Sequence, residues 1–186
     1  MNLRTLFTAL ACAAALLGVA RSTLAEGVPA DELRVAFLYN FAKFTEWPDD
    51  AWEDRSAPFV VVVHGDASFE RVVEDAMRGR TIHGRPVVVR TADGSESAPA
   101  CHLLYVAATS APNVVRALTG HDHGPVLTVG EGPEFLKAGG VVGLVEVQGK
   151  IQFEINLARA RASGLELSSK LLALAKQVHH NERTGG

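Results

Sequence analysis

The chain has 186 residues, 47% of them hydrophobic and 21% charged, with a formal net charge of −3 and two cysteines. That is one domain's worth of chain, enough for a core without metal or disulfide staples. The acidic balance excludes a nucleic-acid binder that depends on concentrated positive charge.

Residues 1–25 read as a secretory signal peptide: Arg4 near the start, an apolar run from Leu6 to Ala20, and Thr23-Leu24-Ala25 as a small-residue cleavage site. The run is short for a bilayer span, which needs about 20 residues. Cys12 sits in a poor lipobox. Removal of this leader takes away Arg4 and Arg21 but no acid, and moves the net charge from −3 to −5. Cys101 then stands alone and reads as a buried small hydrophobe.

The segment from Val28 to Pro48 reads as one helix. Pro29 suits its first position, Asp31 and Glu32 complement the helix dipole, and Trp47-Pro48 stops it. Leu33, Ala36, Phe37, Phe41 and Phe44 form an apolar stripe, with Val35, Leu38 and Ala42 as a second flank, so the helix should be covered on several sides. Asn40 falls on the stripe, where its amide needs partners.

Asp49 to Ser56 is a polar surface loop. Phe59 to Gly65 is a β-branched run, the pattern of a strand buried on both faces of a parallel sheet. Asp66 or Ser68 caps a helix to Met77. A basic connection, Arg78 to Pro86, leads to a strand from Val87 to Arg90, and Thr91 to Ala100 is loop. Leu103 to Ala107 is a third strand, Pro112 to Leu118 a helix, and Val126 to Val129 a fourth strand. After Gly130-Glu131-Gly132 and a short helix, Val141 to Val147 and Ile151 to Ile155 form a β-hairpin turning at Gln148-Gly149. Asn156 caps Leu157 to Ala162, and Leu165 to Leu167 is extended. Ser168 caps a final helix whose stripe is Leu171, Leu174, Ala175 and Val178. A polar tail begins at His179. The alternation gives a single α/β domain over residues 26–180, a mostly parallel sheet flanked by helices with a C-terminal β-hairpin, and a disordered tail over 181–186. Periodicity does not order the strands.

No catalytic constellation stands out. His121-Asp122-His123 and His179-His180 lack the placed third ligand of a metal site. Gly130-Glu131-Gly132 is a poor anion cradle because Glu131 repels what it would hold. Ser95 and Ser97 have no nucleophile elbow, and Ser168-Ser169-Lys170 reads as a cap with a surface lysine. No cofactor and no metal are expected, and the chain is not expected to be an enzyme.

Two groupings suggest binding instead. Tyr39, Trp47 and Trp52, with Arg78, Arg80 and Arg85 of the basic connection, are the side chains best suited to a protein contact. Asn40, Lys43, Glu154, Asn156 and Lys170 form a polar network or line a pocket, provided that the hairpin and last helix pack beside the first helix. A rival reading is a small-molecule sensor module with an anionic ligand at the carboxyl ends of the strands, near Gly65 or Gly130.

Ala36-Phe37-Leu38-Tyr39-Asn40-Phe41-Ala42-Lys43-Phe44-Thr45-Glu46-Trp47-Pro48 resembles the opening motif of the YfiR-like family. Gly79 to Val87, Gly140 to Gly143, Phe153 to Leu165 and Ser168 to Lys176 resemble its later blocks, so the likeness spans nearly the whole chain after the leader. The resemblance implies a periplasmic regulator that binds and restrains an inner-membrane signalling protein, a diguanylate cyclase or a sensor kinase. It also implies effects on cyclic-di-GMP signalling and biofilm formation, a homodimer, and release by an outer-membrane lipoprotein. The namesake type carries cysteine pairs; Cys101 alone leaves no internal bridge for redox control.

Overall fold

The computed structural model describes residues 29–92, 100–107, 111–119 and 124–180. The leader, the 181–186 tail and His121 to His123 lie outside the described residues. The fold is mixed α/β, with a mostly parallel sheet of eight strands covered on both faces.

Helix α1 (Ala30–Lys43) opens the described chain, followed by β1 (Thr45–Glu46) and a 3-10 turn, Asp49–Ala51. Then come β2 (Phe59–His64), α2 (Ala67–Met77), β3 (Thr81–Ile82), β4 (Arg85–Ala92), β5 (Leu103–Val106) and α3 (Ala111–Leu118). The second half runs β6 (Leu127–Glu131), α4 (Pro133–Lys137), β7 (Val142–Val147), β8 (Lys150–Asn156) and α5 (Leu157–Ala162), and ends with β9 (Glu166–Leu167), α6 (Ser169–Leu174) and β10 (Gln177–His179).

The large sheet has the order β10-β8-β7-β6-β5-β2-β4-β3, and β1 pairs with β9 apart from it. Strand β2 is an interior strand, between β5 and β4, and all six of its residues are buried. Phe59, Val61 and Val63 face one apolar cluster with α1 and α2, while Val60 and Val62 face the other with α3 and α4. The sheet grows outward from β2 on both sides, with α2 on one face and α3 and α4 on the other. That reversal puts a topological switch point between the carboxyl ends of β2 and β5.

Caps were legible in the sequence. Asp66 accepts from the amides of Ser68 and Phe69, Asn156 from that of Arg159, and Ser168 from that of Leu171. The hairpin turn is also as expected: Gln148 and Gly149 have φ of 52° and 72°, the two positive values of a type I′ turn.

Four expectations give way to long-range contacts. First, α1 stops at Lys43 and not at Trp47. The His83 ring nitrogen Nε2 lies 3.0 Å from the carbonyl oxygen of Ala42 and 2.8 Å from that of Thr45, and the Ser168 amide donates to Phe44. These partners satisfy carbonyls that a longer helix would have used. Second, the basic connection is folded: β3 and β4 form a tight hairpin around His83 and Gly84, with φ of 51° and 76°.

Third, the last helix ends at Leu174, and Gln177 to His179, expected as helix end and tail, form β10 parallel to β8. The outer edge of β8 offers unpaired backbone groups, and the Lys176 amide already donates to the Phe153 carbonyl. Fourth, the inner face of α1 is Val35, Leu38, Phe41 and Ala42, whereas Ala36 and Asn40 are exposed. Asn40 needs no tertiary partner, because its Nδ2 donates to the Ala36 carbonyl one turn back at 2.8 Å.

Candidate functional site

Helices α1 and α2 lie side by side on one face of the sheet and leave a groove of about 560 Å³ between them. Glu32, Val35, Ala36 and Tyr39 line it from α1, and Val72, Asp75, Ala76 and Met77 from α2, with Arg80 just beyond. The Arg80 guanidinium lies 4.9 Å from the centre of the Tyr39 ring, and the Lys43 ammonium lies 5.6 Å from it. The ring therefore collects two cations, a favourable arrangement for an electron-rich face. Arg78 pairs with Asp75 at 2.7 Å on the exposed side of α2, a contact worth little in water.

Trp47, Trp52 and Arg85 sit elsewhere, turned inward in a layered stack. Arg85 lies 3.9 Å from the centre of the Trp52 ring, Trp52 stacks on His102 at 4.3 Å, and His102 stacks on Phe59 at 5.3 Å. Trp47 meets Phe59 edge-on at 5.1 Å. Arg85 also donates to the carbonyls of Asp54 and Ala57, so the surface loop is bolted to the sheet. His102 Nδ1 accepts from the Val60 amide at 3.0 Å, which fixes Nε2 as the protonated nitrogen facing the Ala51 carbonyl at 3.1 Å. Burial, the nearby Arg85 charge adding to it, lowers the His102 pKa below its usual 6.5 despite the Ala51 contact. The six expected contact residues thus divide: Tyr39 and Arg80 at the helix groove, Arg78 on the exposed side of α2, and Trp47, Trp52 and Arg85 in the internal stack.

His83 joins the two regions. Its ring holds the end of α1 and meets Trp47 at 5.9 Å. Replacing His83 by alanine strands two carbonyls and should cost about 1–2 kcal/mol, read as a lower urea midpoint with an unchanged slope.

The expected polar network does not assemble. Glu154 pairs with Lys176 at 2.7 Å and His179 at 3.1 Å, which hold its carboxyl below the usual range. Asn156 is spent as a helix cap, Lys170 lies 5.1 Å from the Phe44 ring centre, and Lys43 lies over Tyr39. Each of the five residues is on a different errand because β10, absent from the sequence reading, takes the place beside Glu154. The Cys101 thiol is half-buried against the second apolar cluster, and burial pushes it up to about 12.

A polar cluster that sequence reasoning missed lies at the carboxyl ends of the strands. Tyr105 donates to Glu131 Oε1 at 2.8 Å, and Arg34 Nε donates to the same oxygen at 2.7 Å. Arg34 also reaches Asp31 at 3.0 Å. Burial, then the bond to Glu131, drives the Tyr105 phenol far above its ordinary value, so it remains a donor. Tyr105 and Glu131 share a face of neighbouring parallel strands, since Tyr105 is level with Val129. Strand order was the missing signal. The Gly132 amide donates to the Leu144 carbonyl, so this turn does not cradle an anion through it.

Among the described residues, no helix is long and apolar enough to cross a membrane, and no group of three or more potential ligands gathers for a metal. No curated protein matches the chain. Among solved structures, the chain is similar to the ABC domain in complex with L-Trp from Streptococcus pneumonia, at 12% identity and a TM-score of 0.48. That alignment covers 77% of this chain and 60% of the other. The YfiR/HmsC-like family profile matches residues 31–176, an interval running from the first turn of α1 to the threshold of β10. That interval is most of the chain, and the chain belongs to the YfiR/HmsC-like family.

Proposed function

We propose that this chain is a non-enzymatic periplasmic regulator that binds and restrains an inner-membrane signalling protein, a diguanylate cyclase before a sensor kinase. In this reading it lowers cyclic-di-GMP and biofilm formation, acts as a homodimer, and is released by an outer-membrane lipoprotein. The observation that carries the proposal is the family match over residues 31–176. The leader-like pattern of residues 1–25 supports the address. Tyr39 and Arg80, which line the groove between α1 and α2, and Arg78, exposed just past the end of α2, are residue types that dominate protein interfaces.

The test is genetic and chemical together. Deleting the gene should raise cellular cyclic-di-GMP and attached biomass several-fold, and the wild-type chain with its own leader should restore both. Unchanged or lowered cyclic-di-GMP in the deletion strain would sink the reading. A second reading, a small-molecule sensor, draws on the Arg34, Tyr105 and Glu131 cluster at the carboxyl ends of β5 and β6, beside the switch point. It predicts that a metabolite screen by thermal shift yields a ligand whose effect disappears in Glu131→Gln.

A further inference from the structure

We infer that the segment from Asp49 to Ala57 is an acid-released lid over the aromatic stack, and that protonation of His102 opens it. The inference goes beyond the regulatory reading and does not depend on it.

Side chains hold this segment to the sheet. Among the described residues its backbone-to-backbone hydrogen bonds are local, the Ala51 amide donating to the Pro48 carbonyl and the Ala57 amide to that of Asp54. The longer-range ties come from three side chains. His102 faces the Ala51 carbonyl, Arg85 donates to the carbonyls of Asp54 and Ala57, and the segment's own Trp52 packs on Arg85, His102 and Phe59. The residues between these ties are exposed. A stretch with so few buried groups and no backbone pairing to its neighbours opens at lower cost than the sheet beneath it.

The His102 ring can stay in this place only while neutral. Its Nδ1 accepts from the Val60 amide at 3.0 Å, so a proton there sets one donor against another, while Nε2 is already committed to Ala51. The charge nearest in effect is Arg85 of β4, on the same Trp52 ring, and it opposes a second cation. Asp49, Asp50, Glu53 and Asp54 of the segment, with Arg55 among them, are exposed, and neither ring nitrogen bonds to their carboxylates. Water screens their attraction. Uptake of a proton therefore drives the ring away from Val60, and the Ala51 carbonyl and the Trp52 ring lose their support with it.

The direction follows from linkage. In the closed form burial holds His102 below its usual 6.5, and once released the ring returns to that value. The lid is then fully favoured above pH 6.5, and its opening constant rises by up to about tenfold per pH unit below it, until the depressed value is reached. Opening uncovers the Phe59 ring, which is fully buried in the closed form.

The experiment is native-state cleavage of the full chain by trypsin at pH 7.5 and 5.5, each rate divided by that of a free peptide of residues 45–61 under the same conditions. Under brief exposure such cleavage tracks the population of the open form. Support is a relative rate after Arg55 that rises at least fivefold at pH 5.5 and stays at least tenfold above cleavage after Arg161 of α5 at both pH values. In His102→Gln, which keeps a donor and an acceptor but does not titrate, the rise should vanish. A relative rate unchanged by pH in the native chain overturns the proposal without need of the variant. Equal rates at Arg55 and Arg161 overturn it as well, since the whole chain then opens as one, and so does an undiminished rise in His102→Gln.

Discussion

Truncating Phe135 to alanine is expected to lower unfolding free energy by about 3–5 kcal/mol, the range for a buried aromatic ring. The ring is fully buried in the cluster formed by Val60, Val62, Leu104, Val106 and Val114, and it lies in a slot between two glycines. A Cβ on Gly130 would fall inside one edge of the ring, and a Cβ on Gly140 would fall inside the opposite edge. Neither glycine has a positive φ, so the requirement at both is steric rather than conformational. Gly140→Ala should therefore cost about 1–3 kcal/mol through overpacking. The two changes are not independent. In a double-mutant cycle, Gly140→Ala made on Phe135→Ala should cost far less than on the native chain, because the new methyl enters the space that the ring vacated. Urea denaturation of the four proteins measures this; strict additivity would show that the slot is not what constrains Gly140.

The second large effect is acid sensitivity centred on His102. Its Nδ1 must be unprotonated to accept from Val60, and burial, reinforced by Arg85, depresses its pKa in the folded state. Below about pH 6.5 the unfolded chain takes up the proton more readily than the folded one, so stability falls as pH is lowered through that point. The full loss is reached only below the depressed folded value. His102→Phe keeps an aromatic ring between Trp52 and Phe59 but strands the Val60 amide. It should lose about 1–3 kcal/mol at pH 7.5 and should lack this component of the pH slope. Thermal unfolding of both proteins from pH 7.5 to 5 decides the matter: parallel slopes would clear His102 of responsibility. Trp52→Ala, which uncovers His102 to water, should bring its titration closer to 6.5 by NMR.

What the sequence disclosed and what it withheld follow from the range of the interactions involved. Phe59 to His64 announces an interior parallel strand because burial on both faces leaves a mark on every residue. Asp66, Asn156, Ser168 and the Gln148-Gly149 turn act within three or four residues, and all four were legible. The end of α1 was not, because it is set by His83 and Ser168, distant in the chain. Strand β10 was missed for the same reason: Leu171, Leu174 and Val178 have helical spacing, and only the presence of β8 makes Gln177 to His179 extended. At the candidate site, Tyr39 and Arg80 were picked for their chemistry and the structure brings them together, whereas the groove itself exists only because α1 packs beside α2. Trp52 and Arg85 were picked by the same rule and prove to be occupied with each other. Residue type identifies what can bind; only packing tells whether it is already taken.

The position of β2 inside the sheet bears on how the chain reaches this structure. Its two neighbours, β4 and β5, lie tens of residues further along, and β8 waits for β10 at the far end. Little of the sheet can close from local contacts, so loops must be ordered before the pairings that reward them. Folding should be slow beside that of a helical bundle of equal length, and β10 should be absent from any species lacking the final residues. A chain built this way remains open for a comparatively long interval after synthesis, the condition under which it can still be threaded through a narrow pore.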